Sequence, residues 1–332
     1  MPEPVHERLP DPALGADLAA ALAADGRRIV ITGAGGWLGL ATLDLLADVL
    51  GADVVEKRVR CFGASARALR LSDGTPILQR PLADMGWLPA QPTLVLHLAF
   101  LTKDRAEAMD EAAYRAANRA ITQTVLDALG PIGAQGVFVA SSGAATRADD
   151  AAASPAMRLY GAMKRDDEDA FAQWAQANGQ TAVIARLFNL AGPRINKWGA
   201  YALASFVADA LAGRPIEVRA PRPVVRSCVA IREVMALVFA LLLEGAGVTG
   251  FDSGGEPMEL ADLARAVAAL VPGASVVRAP VTLHDADIYH GDSAAYAALL
   301  ARHGIAPVPL ADALRETMAD MARQMPAGAS PT

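Results

Sequence analysis

The sequence predicts an α/β fold, a doubly wound parallel sheet followed by a smaller C-terminal lobe. Three observations carry this. Short apolar runs such as RRIVITG, TLVLHLAF and GVFVASS alternate with helical stretches through residue 188. A glycine-rich turn stands between the first apolar run and the first long helix. From Asn189 onward the alternation breaks into proline- and glycine-rich pieces: NLAGPR, AGRPIEV, RAPRPVVR and DSGGEP. Strands covered by helices on both faces read as continuous apolar runs, because neither face meets water. A chain of 332 residues can bury a large core. The expected organisation is an N-terminal helical extension over 1–26, a first domain over 27–188 and a second lobe over 189–332.

The elements follow in order. Asp11 and Pro12 ahead of an alanine-rich run to Ala24 read as a capped helix. RRIVITG is a buried strand, and a helix runs from about Gly36 to Leu50. RVRCFG is the second strand, PILQRP a weak third and TLVLHLAF a strong fourth. A long helical stretch around Glu107 to Leu129 precedes the strand GVFVASS. A helix from about Pro155 to Asn178 and the strand TAVIARLFN close the series.

Composition narrows the function. The chain is 53% hydrophobic and carries a net charge of −6 with no long basic run, which argues against nucleic-acid binding. Its start carries acids and prolines where a secretory signal needs a basic region before an apolar core. The apolar run VMALVFALLL is about half the length that spans a bilayer. Cys61 and Cys228 are isolated, as suits a reducing compartment. A soluble, cytoplasmic protein is expected, with no membrane partner.

TGAGGWLG supplies the first chemical clue. Gly33, Gly36 and Gly39 let the backbone turn sharply and approach a pyrophosphate, whose charge faces the helix N-terminus beside Trp37 and Leu38. This placement predicts that the first domain is a Rossmann-type NAD(P)-binding unit; a turn that only packs helix tightly on strand is the alternative. The second strand ends in CFGASAR, with glycine and alanine where an acid would hold the ribose of NAD. Ser65 and Arg67 stand just beyond and favour the 2′-phosphate of NADP; a solvated arginine is the alternative.

Tyr160 and Lys164 are four positions apart, in a chain with four lysines. On a helix they share a face. A nearby ammonium favours the phenolate, which makes Tyr160 a proton acceptor or donor near neutral pH. The strand GVFVASS ends in Ser141 and Ser142, at the sheet edge where a ligand crevice opens. Ser142 is the favoured partner for a substrate oxygen.

The G-x-x-G-x-x-G turn preceded by Thr32 resembles the extended branch of the short-chain dehydrogenase/reductase superfamily, and the likeness spans roughly Arg27 to Met321. LVLHLAF is similar to that family's fourth strand, implying that Leu98 and Ala99 line the cofactor. YRAANRAITQTVLDAL resembles the helix in which Asn118 has its counterpart. RLFNLAGPR resembles the segment that brings Asn189 to the substrate and Pro193 to the nicotinamide. GRPIEVRAPRPVVRSCVAIREV is similar to nucleotide-sugar members, where Arg226 matches the arginine that grips the substrate diphosphate. FDSGGEPMELADLARAV and HGIAPVPLADALRETM resemble later elements. RPLAD departs from the Gly-Asp pair that often follows the third strand.

The resemblance implies NAD(P)-dependent chemistry at a sugar hydroxyl or ketone, with Ser142, Tyr160 and Lys164 as the catalytic set. A nucleotide-sugar epimerase, acting at C4 through a keto-sugar, ranks first. An NADPH-dependent ketoreductase is the alternative, because epimerases of this type retain NAD whereas the second strand favours NADP. A non-catalytic dinucleotide sensor or scaffold is a third reading, disfavoured because Tyr160 and Lys164 are both kept. Gly143 and Ala144 replace the Asp–Glu pair of the 4,6-dehydratases. The helices around Glu107–Leu129 and Pro155–Asn178 match those that pair in similar homodimers.

Other signals carry less. HDADIYHGD holds residue types that ligate metals, without an organising spacing, and reads as a polar loop of the second lobe with no metal. Arg219, Arg222 and Arg226 suit a diphosphate clamp better than a nucleic-acid patch. His97 reads as a packed, hydrogen-bonded histidine.

Overall fold

The computed structural model describes residues 14–325; Asp11 and Pro12 lie outside them. The chain opens with helix α1 (Ala16–Ala24) and strand β1 (Arg28–Thr32). Helices α2 (Trp37–Leu50) and α3 (Ala52–Arg58) lead to β2 (Val59–Gly63), β3 (Arg67–Arg70), β4 (Pro76–Pro81) and β5 (Thr93–His97). Then follow α4 (Lys103–Ala108), α5 (Glu111–Leu129), β6 (Ala134–Ser142), α6 (Pro155–Asn178) and β7 (Thr181–Leu187).

Together with the later segment Val248–Asp252, these strands form an eight-stranded sheet. The order from that segment is β7, β6, β5, β1, β2, β4, β3. Every pairing is parallel except that of β3 with β4. The strand β3 was not expected. Its sequence, RALR, is mostly exposed and lacks an apolar run. The helical stretch around Glu107 is two helices, because the Asp110 carboxylate accepts from the N–H groups of Ala112 and Ala113 and starts α5 afresh.

One face of the sheet packs Leu22, Leu43 and Leu46 against a helix at Ile231–Glu244; the other packs Val125, Leu129 and Phe171. That helix and the strand Val248–Asp252 come from beyond residue 189 and join the sheet of the first part of the chain. Nothing local marks VTGFD as a core strand; its place comes from pairing with β7. A second core gathers around Phe206, Val207, Val267 and Leu314.

Arg194 ties the two cores. It holds a left-handed backbone (φ 69°), and its side chain grips the Asp44 carboxylate of α2 at 2.6 and 3.0 Å. Its backbone N–H donates to Asp320 at 2.6 Å. Arg194→Ala removes the largely buried partner of Asp44 and is expected to cost about 3 kcal/mol, read as a lower urea midpoint with unchanged slope.

Candidate active site

The glycine turn is fixed by close backbone contact. Gly33 has φ 68°, and a Cβ there would lie 2.7 Å from the Ala99 nitrogen and the Leu98 carbonyl carbon. Only glycine lets the end of β5 lie flush against the turn. A Cβ on Gly39 would meet the Ala34 oxygen at 2.5 Å. Gly36 caps α2 without a side-chain hydrogen bond, so the first-turn N–H groups of α2 remain free for an anion. The Trp37 indole N–H donates to the Pro193 carbonyl at 2.8 Å. Gly33, Gly36, Trp37, Leu38, Gly39, Leu98, Ala99 and Pro193 thus surround one turn, and its uncapped helix end fits a dinucleotide pyrophosphate.

At the end of β2 the space for a side chain is taken. A Cβ on Gly63 would lie 2.5 Å from the Gln79 amide. Gln79, in β4 and 2% exposed, accepts from the Gly35 N–H at 3.0 Å and donates to the Ser65 carbonyl at 2.8 Å. Arg67 pairs with Gln79 across the β3–β4 register, and its guanidinium donates to the Gly35 carbonyl at 3.1 Å. Ser65 and Arg67 therefore stand beside the turn. Gln79 carried no motif signal and was missed.

The catalytic candidates meet at the carboxyl edge of the sheet. Ser154 caps α6, Pro155 opens it, and Tyr160 and Lys164 follow on one face. The Ser142 hydroxyl accepts from the Ala144 N–H at 3.2 Å, and the phenols of Tyr160 and Tyr289 both lie near enough for it to act on them. Ser141 instead donates to Glu168, which also receives Arg186 at 2.7 Å. The two adjacent serines thus face different partners.

Lys164 is buried, with its ammonium donating to the Ala140 carbonyl at 2.7 Å and lying 3.6 Å from the centre of the Phe100 ring. Burial pulls it down to about 8, against the opposing charges of Asp167 and Glu168. The expectation that Lys164 lowers the Tyr160 phenol needs correction for this arrangement. Burial raises the phenol, partly offset by the Ser142 hydrogen bond. Phe100 and the Ala140 carbonyl hold the ammonium, and the Phe100 ring meets Tyr160 edge-on at 5.9 Å.

Gly161, between the two candidates, has no room for a side chain: a Cβ would lie 2.0 Å from the Ala144 oxygen. Gly161→Ala is expected to push α6 from that turn, costing about 1–3 kcal/mol and moving Tyr160 from Ser142. Thermal melts and turnover of the same preparation check both effects.

The opposite wall comes from the later chain. Asn189 donates to the Ser227 carbonyl at 3.1 Å, which ties it to the segment just after Arg226. Arg226 lies in a strand, Val224–Arg226, that pairs parallel with Asp287–Tyr289. Its guanidinium bonds the Asp287 carboxylate at 2.7 Å and the Asp287 carbonyl at 2.9 Å. Arg219 is paired with Glu217, and Arg222 with Asp285, so each of the three arginines has its own carboxylate.

HDADIYHGD is more than a polar loop. It forms the strand that delivers Tyr289, whose ring lies 4.8 Å from Phe188 and whose phenol reaches Ser142. Among the described residues no group of three or more His, Cys, Asp or Glu could hold a metal ion. Nor is any helix among them long and apolar enough to cross a membrane. Asn118 is fully buried and accepts from the Leu101 N–H at 2.8 Å. Gly143 faces Phe188, whose ring would meet a Cβ at 2.4 Å.

A dinucleotide turn, with a serine, a tyrosine and a lysine gathered at the same sheet edge, defines an NAD(P)-dependent enzyme of the extended short-chain dehydrogenase/reductase type. Residues 29–254 match the model of the NAD-dependent epimerase/dehydratase family, and the chain belongs to that family. No curated protein matches it by sequence.

Among solved structures the chain is similar to UDP-N-acetylglucosamine 4-epimerase from Methanobrevibacter ruminantium, in complex with UDP-N-acetylmuramic acid. The identity is 17%, over 90% of this chain and 99% of that one, with a TM-score of 0.69. It is also similar to UDP-glucose 4-epimerase from Thermus thermophilus, in complex with NAD, at 21% identity over 90% and 100% with a TM-score of 0.65. The epimerase Mth375 from Methanothermobacter thermautotrophicus aligns at 17% identity over 93% and 96%, with a TM-score of 0.66. At these identities the likeness is one of fold.

Proposed function

We propose that the protein is an NAD(P)-dependent nucleotide-sugar epimerase acting at C4 of the sugar. The observation that carries this reading is the gathering of Ser142, Tyr160 and Lys164 at the sheet edge, with Ser142 near enough to the Tyr160 phenol to act on it. A nicotinamide dinucleotide held at the Gly33–Gly39 turn would supply reversible hydride exchange with the sugar carbon. The chain's own residues do the rest. Ser142 orients the sugar hydroxyl, and Tyr160 takes its proton and later gives it back. Lys164 supplies a buried positive charge one helical turn from Tyr160, against the Phe100 ring that the phenol ring also meets. Phe188 and Tyr289 offer an apolar and hydrogen-bonding wall. Arg226 becomes available to a substrate diphosphate when the anion displaces Asp287, and Asn189 holds the segment behind it.

The structural relatives named for UDP-sugar 4-epimerases support UDP-sugars as first candidates. Elimination is disfavoured, since Gly143 and Ala144 offer no acid and Phe188 fills the space beside Gly143. Incubation with UDP-glucose and UDP-N-acetylglucosamine, followed by proton NMR, should give the C4 epimer with no net change in the dinucleotide. Formation of neither epimer from these or other nucleotide sugars would reject the reading.

The end of β2 favours a second reading. Gln79 fills the place of a ribose-binding acid and Arg67 stands ready for a phosphate. That suits NADP(H), and with it an NADPH-dependent keto-sugar reductase. Tightly held NAD in the purified protein supports the epimerase; an empty protein that consumes NADPH supports the reductase. The long helices α5 and α6 would pair in a homodimer, which sedimentation checks.

A further inference from the structure

Beneath Tyr160 and Lys164 lies a buried polar cluster drawn from several elements. Asp167, one turn beyond Lys164 on α6, is 1% exposed, and Lys164 is 4% exposed. The Thr122 hydroxyl of α5 donates to Asp167 Oδ1 at 2.6 Å. His97, at the end of β5 and 2% exposed, faces Asp167 Oδ2 through its Nε2 at 3.4 Å. Neither of those two atoms has a well-formed hydrogen bond, so each is the other's electrostatic partner.

The hydrogens around His97 can be assigned by counting. Thr32 Oγ1 accepts from the Leu98 and Ala99 N–H groups at 3.2 and 3.3 Å. Its own hydrogen is left for His97 Nδ1, 3.0 Å away. The Nε2 atom then carries the ring hydrogen and points it at Asp167. His97 thus links the end of β5 to Asp167.

Charge counting singles out one pair. Glu168 is satisfied by Ser141 and by Arg186 at 2.7 and 2.9 Å, which makes a neutral unit. Lys164 and Asp167 remain. The Lys164 ammonium has one carbonyl and one aromatic face around it, and an isolated buried ammonium would give up its proton.

We propose that Asp167, held ionised by Thr122 and His97, is the counter-charge that keeps Lys164 protonated, and is thus a positioning residue for the proton transfer. This deepens the epimerase reading and rests on it for its catalytic meaning. The charged and titratable groups that face this cluster are Asp167 and Glu168 of its own helix, His97 of β5 on Asp167, Arg186 of β7 on Glu168, and Tyr160 across the shared Phe100 ring. Of these, Asp167 and then Glu168 are the charges that oppose the downward pull of burial on Lys164. Asp167 is itself kept below its ordinary value, burial being outweighed by His97, Lys164 and Thr122.

The test titrates Lys164 directly, by NMR of protein labelled with 13C at the lysine ε carbon. Only four lysines are present, and Lys164→Met identifies the signal. The wild-type midpoint is expected near 8. In Asp167→Asn it should fall by about one pH unit or more, a tenfold loss of proton affinity. Thr122→Val should move it the same way by less, and serves alone if Asp167→Asn does not fold. An unmoved midpoint in the variants that fold, or a wild-type midpoint at the ordinary 10.5, overturns the proposal. No substrate or cofactor is needed, so failure here is distinct from failure of the epimerase reading.

Discussion

Replacing Tyr160 by phenylalanine is expected to lower turnover of a nucleotide sugar about 10²–10⁴-fold, the usual contribution of a positioned acid–base group. The phenyl ring keeps its edge contact with Phe100, so the fold and dinucleotide affinity should survive. Only the phenol oxygen near Ser142 is lost. Progress curves on the variant, with its melting temperature and cofactor affinity measured alongside, separate a chemical defect from a structural one. Biological activity unchanged in the variant would instead favour a scaffold that binds a dinucleotide without turning it over.

The wild-type pH profile gives a companion expectation. Lys164 is charged below about 8 and loses its proton as pH rises through that value, so turnover should decline on the alkaline side there. Lys164 is held below its ordinary value, so the unfolded chain binds more protons between about 8 and 10.5. Its contribution to stability therefore improves with pH over that window, while activity falls. The opposite trends distinguish loss of the ammonium from alkaline unfolding.

The second large effect concerns the cofactor. Arg67→Ala is expected to weaken NADP+ binding about 10- to 100-fold, as loss of a charge-assisted contact to a phosphate does. NAD+ binding should change far less. The expectation follows from the guanidinium held over the Gly35 carbonyl, next to the helix end that takes the pyrophosphate. Gly63→Asp, the obvious way to install an NAD-type acid, should fail alone, because Gln79 occupies the space its Cβ needs. Combined with Gln79→Ala it should gain NAD+ affinity. Isothermal titration with both dinucleotides reads all three variants.

The sheet was legible in the sequence where strands are buried on both faces, as RRIVITG and TLVLHLAF show. The glycine turn and the Tyr160–Lys164 spacing were legible because each lies within one local stretch. What escaped depends on partners far along the chain. Tyr289 reaches Ser142 only because Asp287–Tyr289 pairs with Val224–Arg226, a contact no local pattern announces. Gln79 matters through the missing side chain of Gly63 across the neighbouring strand. Asp167 stands in the acidic run Asp166–Asp169, yet it points inward to His97 and Thr122. An acid three positions after a buried lysine, on the same helical face, was the signal available.

The effect of Lys164 on Tyr160 was misjudged for a physical reason. Spacing places two residues on one face but does not say which way a long side chain turns. Here the ammonium is taken by the Ala140 carbonyl and the Phe100 ring.

A crystal structure of the protein soaked with NADP+ or NAD+ tests the central claim most directly. The pyrophosphate should lie at the Gly36 end of α2, with the nicotinamide ring beside the Tyr160 phenol and the Lys164 ammonium. A ring bound away from Tyr160, or no binding of either dinucleotide at millimolar concentration, would contradict the account.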